Sequence, residues 1–148
     1  MIINTKITGK NGELPIRKHE TDGGADLCAA KFEGWGELCK AIIPPFNKLI
    51  VDTQVAMEIP KGYIGDIRPR SGLFFKKGII CAGTIDSDYR GNIKVCLRNL
   101  TNEPVTIELG ERIAQICIIP VELCEFCEVD ELSDTDRGEN GFGSTGSK

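Results

Sequence analysis

The stretch "NIKVCLRNL" (92–100) alternates: Ile93, Val95 and Leu97 fall on one side of an extended chain, with Lys94, Cys96 and Arg98 on the other. A period of two predicts a strand with one buried face. "PVTIEL" (104–109) repeats the pattern, "KLIVDTQVAMEI" (48–59) follows it loosely with β-branched enrichment, and "RIAQICIIPVEL" (112–123) reads as a longer apolar strand. Turn signals separate these runs: "IPKGY", "PRSGL", "DSDYRG", "LTNEP" and "LGE". "DSDYRG" (86–91) therefore reads as a hairpin loop between a strand ending in "GTI" and one opening with "NIKV". "SGLFFKKGI" (71–79) is the one candidate helix. Short strands, frequent turns and little helical periodicity predict an all-β jelly roll or sandwich with at most one short helix.

Two stretches depart from the alternation. "KFEGWGELCKAIIPPFN" (31–47) is interrupted by Gly34, Gly36, Pro44 and Pro45, and reads as an edge strand or a surface excursion. From about Glu128 the chain becomes acidic and then glycine-rich, which divides it into a β-rich domain over 1–130 and a flexible C-terminal arm over 131–148. No internal repeat is present.

Composition narrows the chemistry. A chain of 148 residues, 41% hydrophobic and 27% charged, suits one soluble domain with one core. A net charge of −4 argues against duplex nucleic acid as partner, while leaving room for a small anion met by a few placed arginines. No apolar run approaches the roughly 20 residues of a membrane span, and "MIINTKITGKNGELPIRK" lacks the apolar core of a secretory signal. Seven scattered cysteines then point to a reducing, cytoplasmic setting with free thiols. His19 is the only histidine, which rules out a multi-histidine metal site and leaves it alone for any Ser-His-Asp triad. Catalysis would run on carboxylates, arginines and a bound hard metal ion.

Four segments could supply such chemistry. In "GTIDSDYRGN" (83–92), Asp86 sits beside apolar Ile85, and a partly desolvated carboxylate can act as general base on water; Asp, Ser and Gly are also ordinary turn residues. "RPRSGL" (68–73) offers a guanidinium fork, a hydroxyl and backbone N–H groups at a helix start, suited to phosphate, or simply a proline-led turn. In "GGADLC" (23–28), Asp26 could hold water ligands of a metal or cap a turn. In the tail, Arg137, Phe142, Ser144 and Thr145 lie among glycines that would let backbone approach a ligand.

"GGADL", "RPRSGL", "GTIDSDYRGNIKV", "GERIAQI" and "RGENGFGSTG" occur in this order over residues 23–146, and together they resemble the five motifs of the trimeric dUTPase family. The resemblance implies a jelly-roll/β-clip subunit, a homotrimer with shared active sites, and Mg²⁺-dependent hydrolysis of dUTP to dUMP and pyrophosphate. Asp86 matches the base that activates water for attack on the α-phosphorus. Tyr89 matches the residue packed against the deoxyribose, and backbone groups around Gly83, Thr84, Ile85 and Lys94 would meet the uracil edge. Cytosine would mismatch those buried groups, and a thymine methyl would collide with the hairpin. Arg70, Ser71, Gly72 and Gln115 match phosphate-contacting positions, and Asp26 the carboxylate that reaches the metal through water. In the arm, Arg137 would meet the γ-phosphate, Phe142 would stack on uracil, and Gly143 and Ser144 would cover the phosphates.

The sequence departs from the family's pattern at four places. Asn140 stands where a further glycine is common, an exchange that Asn's tolerance of left-handed backbone softens. Ile80 stands six residues before Asp86, where some members carry an asparagine. Segment 31–47 is longer and less regular than usual, and "CEFC" (124–127) has no counterpart or second cysteine pair to complete a zinc site. Two other readings use the same fold. A dCTP deaminase, alone or bifunctional, would carry a glutamate where "GTIDSDY" has its aspartate and tyrosine; a nucleotide-gated binding protein would hold a protein partner, with 31–47 the place to look.

Overall fold

A computed structural model of the chain describes residues 1–140. In chain order the strands are β1 (Thr5–Ile7), β2 (Ala25–Cys28), β3 (Lys31–Phe32), β4 (Lys40–Ile43), β5 (Lys48–Asp52), β6 (Val55–Met57) and β7 (Tyr63–Pro69). Helix α1 (Ser71–Lys77) follows, then β8 (Ile79–Ile80), β9 (Gly83–Ile85), β10 (Lys94–Asn99), β11 (Val105–Glu108) and β12 (Arg112–Pro120). Two four-stranded antiparallel sheets, ordered β3-β5-β10-β8 and β2-β12-β7-β9, are accompanied by the pairs β1-β6 and β4-β11. Among the described residues this is the all-β architecture with a single short helix that the alternation predicts. Ile93, Val95 and Leu97 are buried in a core shared with Leu27, Phe32 and Ile113, while Lys94 and Arg98 are exposed. The helix buries only Leu73 and stops where Gly78 turns left-handed (φ 63), its N–H closing onto the Phe74 carbonyl.

Several boundaries differ from the sequence reading, each for a local reason. Residues 48–59 form two strands, because Gln54 takes a positive φ of 53 and its N–H donates to Asp52 Oδ1 at 2.7 Å. The chain thereby leaves β5, which pairs with β10, and joins β6, which pairs with β1. The long apolar strand ends at Pro120 rather than at residue 123. Segment 31–47 contributes two strands, β3 and β4, joined by a loop with left-handed Gly34 and Gly36. In "GGADLC", Asp26 lies in strand β2 rather than in a turn. Strand β7 was hidden by its own Gly65, which a Cβ would drive to 2.8 Å from Ile116 and 2.9 Å from Ile59.

The hairpin expected around "DSDYRG" is also corrected. Strand β9 pairs with β7, whereas β10 pairs with β5 and β8 in the other sheet. Residues 86–93 are a crossover between sheets.

All seven cysteines are free, and their burial sorts their reactivity. Burial pushes the Cys81 thiol up to about 11, and burial beside Glu13 does the same for Cys28. Since thiolate is the reactive form, alkylation at pH 8 followed by mass spectrometry is expected to mark exposed Cys39, Cys124 and Cys127 first and Cys81 last. The raised Cys81 value also sets a sign. The fold keeps this contribution below pH 9 and loses it as pH climbs towards about 11, because the unfolded thiol ionises first.

Candidate active site

The residues singled out in the sequence gather at two places on the sheet β2-β12-β7-β9. At one, antiparallel register sets Asp26 opposite Gln115 and Gln115 opposite Arg68, so these three side chains share a face. Arg70 leaves the end of β7 and turns back: its Nε lies 2.8 Å from Asp26 Oδ1, and its Nη1 donates to the Arg112 carbonyl at 3.2 Å. Arg112 places Nη1 3.3 Å from Asp26 Oδ2. One mostly buried carboxylate, 17% exposed, therefore holds two guanidinium groups. The trio keeps a net positive charge, and a phosphate would meet forks already fixed in place.

Gln115 donates its amide to the Pro69 carbonyl at 3.0 Å, and its carbonyl end lies against Gly24, where any Cβ would collide with it. Ser71 and Gly72 open α1 and are exposed. The Arg70 carbonyl accepts from Leu73 and Phe74, which leaves the Ser71 and Gly72 N–H groups outside the helical ladder. Sequence reasoning did not single out Arg112. It lies inside the quoted "GERIAQI", but its role depends on the irregular register between residues 112 and 114, which no local pattern announces.

The second place is the crossover. Asp86 is exposed and, among the described residues, its carboxylate makes no ion pair or hydrogen bond; half-buried Ile85 precedes it, and apolar Ile59, Ile64 and Val121 line the same cavity. Its backbone carbonyl accepts from Tyr89 N–H at 3.2 Å, closing the turn. Tyr89, 44% exposed, lays its ring over Gly91, where a Cβ would strike it, and donates its hydroxyl to the Asn92 carbonyl at 3.0 Å. On either side lie strand edges without a partner strand. Gly83, Thr84 and Ile85 form β9 at the margin of its sheet, and Lys94 opens β10 before β8 begins to pair with it at Arg98. Lys94 pairs its ammonium with Glu33 at 3.0 Å, which raises the lysine's proton affinity. A cavity of about 930 Å³ reaches from Asp86 and Arg90 to Tyr63 and Val121. Another, of about 990 Å³, lies between α1 and β11 and contains none of the expected site residues.

These two places are far apart in one chain. Asp26 and Ile85 are three strands and three residues from each other in register, roughly 14 Å by 10 Å at about 4.8 Å per strand and 3.3 Å per residue. A base must reach its water within hydrogen-bonding distance, so one α-phosphate cannot meet Asp86 and the Arg70 clamp of the same chain.

Arg137 donates Nε to the Asn140 carbonyl at 2.7 Å in a local exposed turn. The left-handed residue of that turn is Gly138 (φ 53), not Asn140. Phe142, Gly143 and Ser144 lie outside the described residues. Ile80 faces Arg98 in the other sheet, and Cys124 and Cys127 are exposed. Among the described residues no group of three or more His, Cys, Asp or Glu could enclose a metal, and no helix is long and apolar enough to cross a membrane.

Arginine forks beside an open helix start, and an aspartate and tyrosine flanked by unpaired strand edges, give this all-β protein the donors and backbone that suit a phosphorylated ligand. The family model described as dUTPase matches residues 10–146. A deoxyuridine 5'-triphosphate nucleotidohydrolase of Corynebacterium diphtheriae is 50% identical over 137 residues, covering 90% of this chain and 85% of that protein. One from a Hydrogenobaculum species is 54% identical over 110 residues, 72% of this chain and 76% of that one. Among solved structures, the Staphylococcus bacteriophage 80alpha dUTPase with dUPNHPP superposes with a TM-score of 0.87 at 31% identity, covering 98% of each chain. A mutant dUTPase from phage phi11 of S. aureus, in which a structural Mg(II) ion is coordinated, gives 0.77 at 25% identity over 88% of this chain and 98% of that one. The chain belongs to the dUTPase family.

Proposed function

We infer that the chain hydrolyses dUTP to dUMP and pyrophosphate, water attacking the α-phosphorus with Asp86 as general base. The observation that carries the reading is the pairing of an unencumbered Asp86 on the crossover with relatives of this one activity that align over 90% of the chain. The alternatives of a deaminase or a nucleotide-gated binding protein have no observation in their favour.

Tyr89 packs against the deoxyribose, where its ring leaves no room for a 2′-OH. The free backbone edges at Gly83, Thr84, Ile85 and Lys94 read the uracil. Arg70, Ser71, Gly72 and Gln115 hold the phosphates, and Arg112 shares the work of Arg70 through their common Asp26. Charge that develops as pyrophosphate leaves is met by donors already oriented, which is the larger part of such catalysis. Residues 131–148 act as an arm over the domain of residues 1–130. Arg137 meets the γ-phosphate, Phe142 stacks on uracil, and Gly143 and Ser144 cover the phosphates.

The donor set suits Mg²⁺ held mainly by substrate and water. Asp26 is the carboxylate that Arg70 and Arg112 share, and with its oxygens engaged by two arginines it fits contact through water rather than direct ligation. When bound, the ion would neutralise phosphate charge.

The separation between Asp86 and the Arg70 clamp supports a homotrimer with shared active sites, in which one copy's crossover faces another's clamp. Free thiols in all seven cysteines are consistent with a cytoplasmic setting. Pyrophosphate release from dUTP is expected to require Mg²⁺, with dTTP, dCTP and UTP turned over about a hundredfold less or worse. Equal turnover of dUTP and dCTP would overturn the base-reading edges, and a monomer in sedimentation would overturn the shared site.

A further inference from the structure

The crossover that carries Asp86 and Tyr89 is exposed, yet both residues need fixed positions. Its first foot is held by β9 on β7. Its second foot is held by a network, buried at Asp52 and Thr53, that ties Asn92 to residues far outside its own motif. Asn92 donates Nδ2 to Asp52 Oδ2 at 2.9 Å, and its Oδ1 accepts from the Thr8 hydroxyl at 2.7 Å. Asp52, 7% exposed, spends its other oxygen on the Gln54 N–H at 2.7 Å. Next along the chain, the Ile93 carbonyl accepts from the Thr53 hydroxyl at 2.8 Å, and its N–H donates to Val55 at 2.8 Å. The Asn92 main-chain carbonyl is the acceptor for the Tyr89 hydroxyl.

We propose that Asn92 is the positioning residue of the sugar-reading site: locked side-on between Asp52 and Thr8, it presents its carbonyl to Tyr89 and so fixes the ring that excludes a ribose. The inference rests on the reading of Tyr89 given above. The side chain's geometry explains why an amide is used. Asp52 needs a donor and Thr8 needs an acceptor, and one planar amide supplies both at once. An alanine would leave a buried carboxylate oxygen without its donor, and an aspartate would set two carboxylates face to face. Either change frees the Asn92 backbone, and with it Tyr89.

The test uses the full-length protein with dUTP and UTP as substrates. Asn92→Ala and Asn92→Asp are expected to lower kcat/KM for dUTP by about ten- to a hundredfold, as small displacements of positioning groups do, and to narrow the preference for dUTP over UTP. Exchanging the pair, Asp52→Asn with Asn92→Asp, restores every donor and acceptor and is expected to recover both the preference and the thermal midpoint. Tyr89→Ala serves as the reference. If it keeps the preference for dUTP, the reading of Tyr89 fails. If Tyr89→Ala loses the preference while the Asn92 variants keep it and change only the melting temperature, Asn92 is merely structural and the proposal is overturned. An exchange variant no better than Asn92→Asp overturns it as well.

Discussion

Asp86→Asn is expected to abolish nearly all turnover of dUTP while leaving the nucleotide bound. Asparagine keeps the size and shape of the side chain but cannot take a proton from water, and loss of a placed general base lowers rates by about 10² to 10⁴. A thousandfold loss corresponds to roughly 4 kcal/mol of barrier. Stability should not change, since Asp86 is exposed and its carboxylate has no ion-pair or hydrogen-bond partner among the described residues. Affinity should hold within a few fold, because the phosphate grip proposed above lies with Arg70, Arg112 and the start of α1 rather than with Asp86. Calorimetry with an imido analogue of dUTP, beside single-turnover kinetics, separates the two. A variant at the wild-type rate removes Asp86 from catalysis. A variant that neither binds nor turns over assigns it to binding.

The crossover and the clamp differ in how far the sequence reveals them. Strand β10 is legible because Ile93, Val95 and Leu97 are all apolar and all inward. Strand β7 alternates just as strictly, with Gly65 and Ile67 inward and Asp66 and Arg68 less buried or exposed, but a glycine chosen to avoid Ile116 and Ile59 looks like a turn. Asp86, Tyr89, Arg70 and Gln115 could be picked out because their motifs are local. What joins them is not local. Arg112 acquires its place from register with β2, and Asn92 is tied to Asp52, forty residues earlier in the chain. The hairpin reading fails for the same reason: local turn chemistry fixes that the chain turns, and long-range pairing decides which sheet it enters next.

Deleting residues 137–148 is expected to leave the subunit's melting temperature and assembly unchanged and to lower kcat/KM for dUTP by about a hundredfold or more. The first half rests on burial. Among the described residues the last strand ends at Pro120 and every residue from Glu122 to Asn140 is exposed, so none of the described residues that the truncation removes belongs to the core. The second half rests on charge. The clamp's two guanidinium groups share one carboxylate, whereas Arg137 has no carboxylate partner among the described residues and donates only to the nearby Asn140 carbonyl. A third guanidinium brought over the terminal phosphate would add charge where it develops, and one such donor is typically worth about 10² to 10³ in rate. Point variants separate this from mere covering of the site. Arg137→Lys keeps the charge but loses the planar fork, and Arg137→Ala loses both. If the fork matters, the lysine variant falls between wild type and alanine; if the arm only excludes water, all full-length variants stay near wild type and the truncation alone fails. A truncated chain with the wild-type kcat/KM would make the whole arm dispensable.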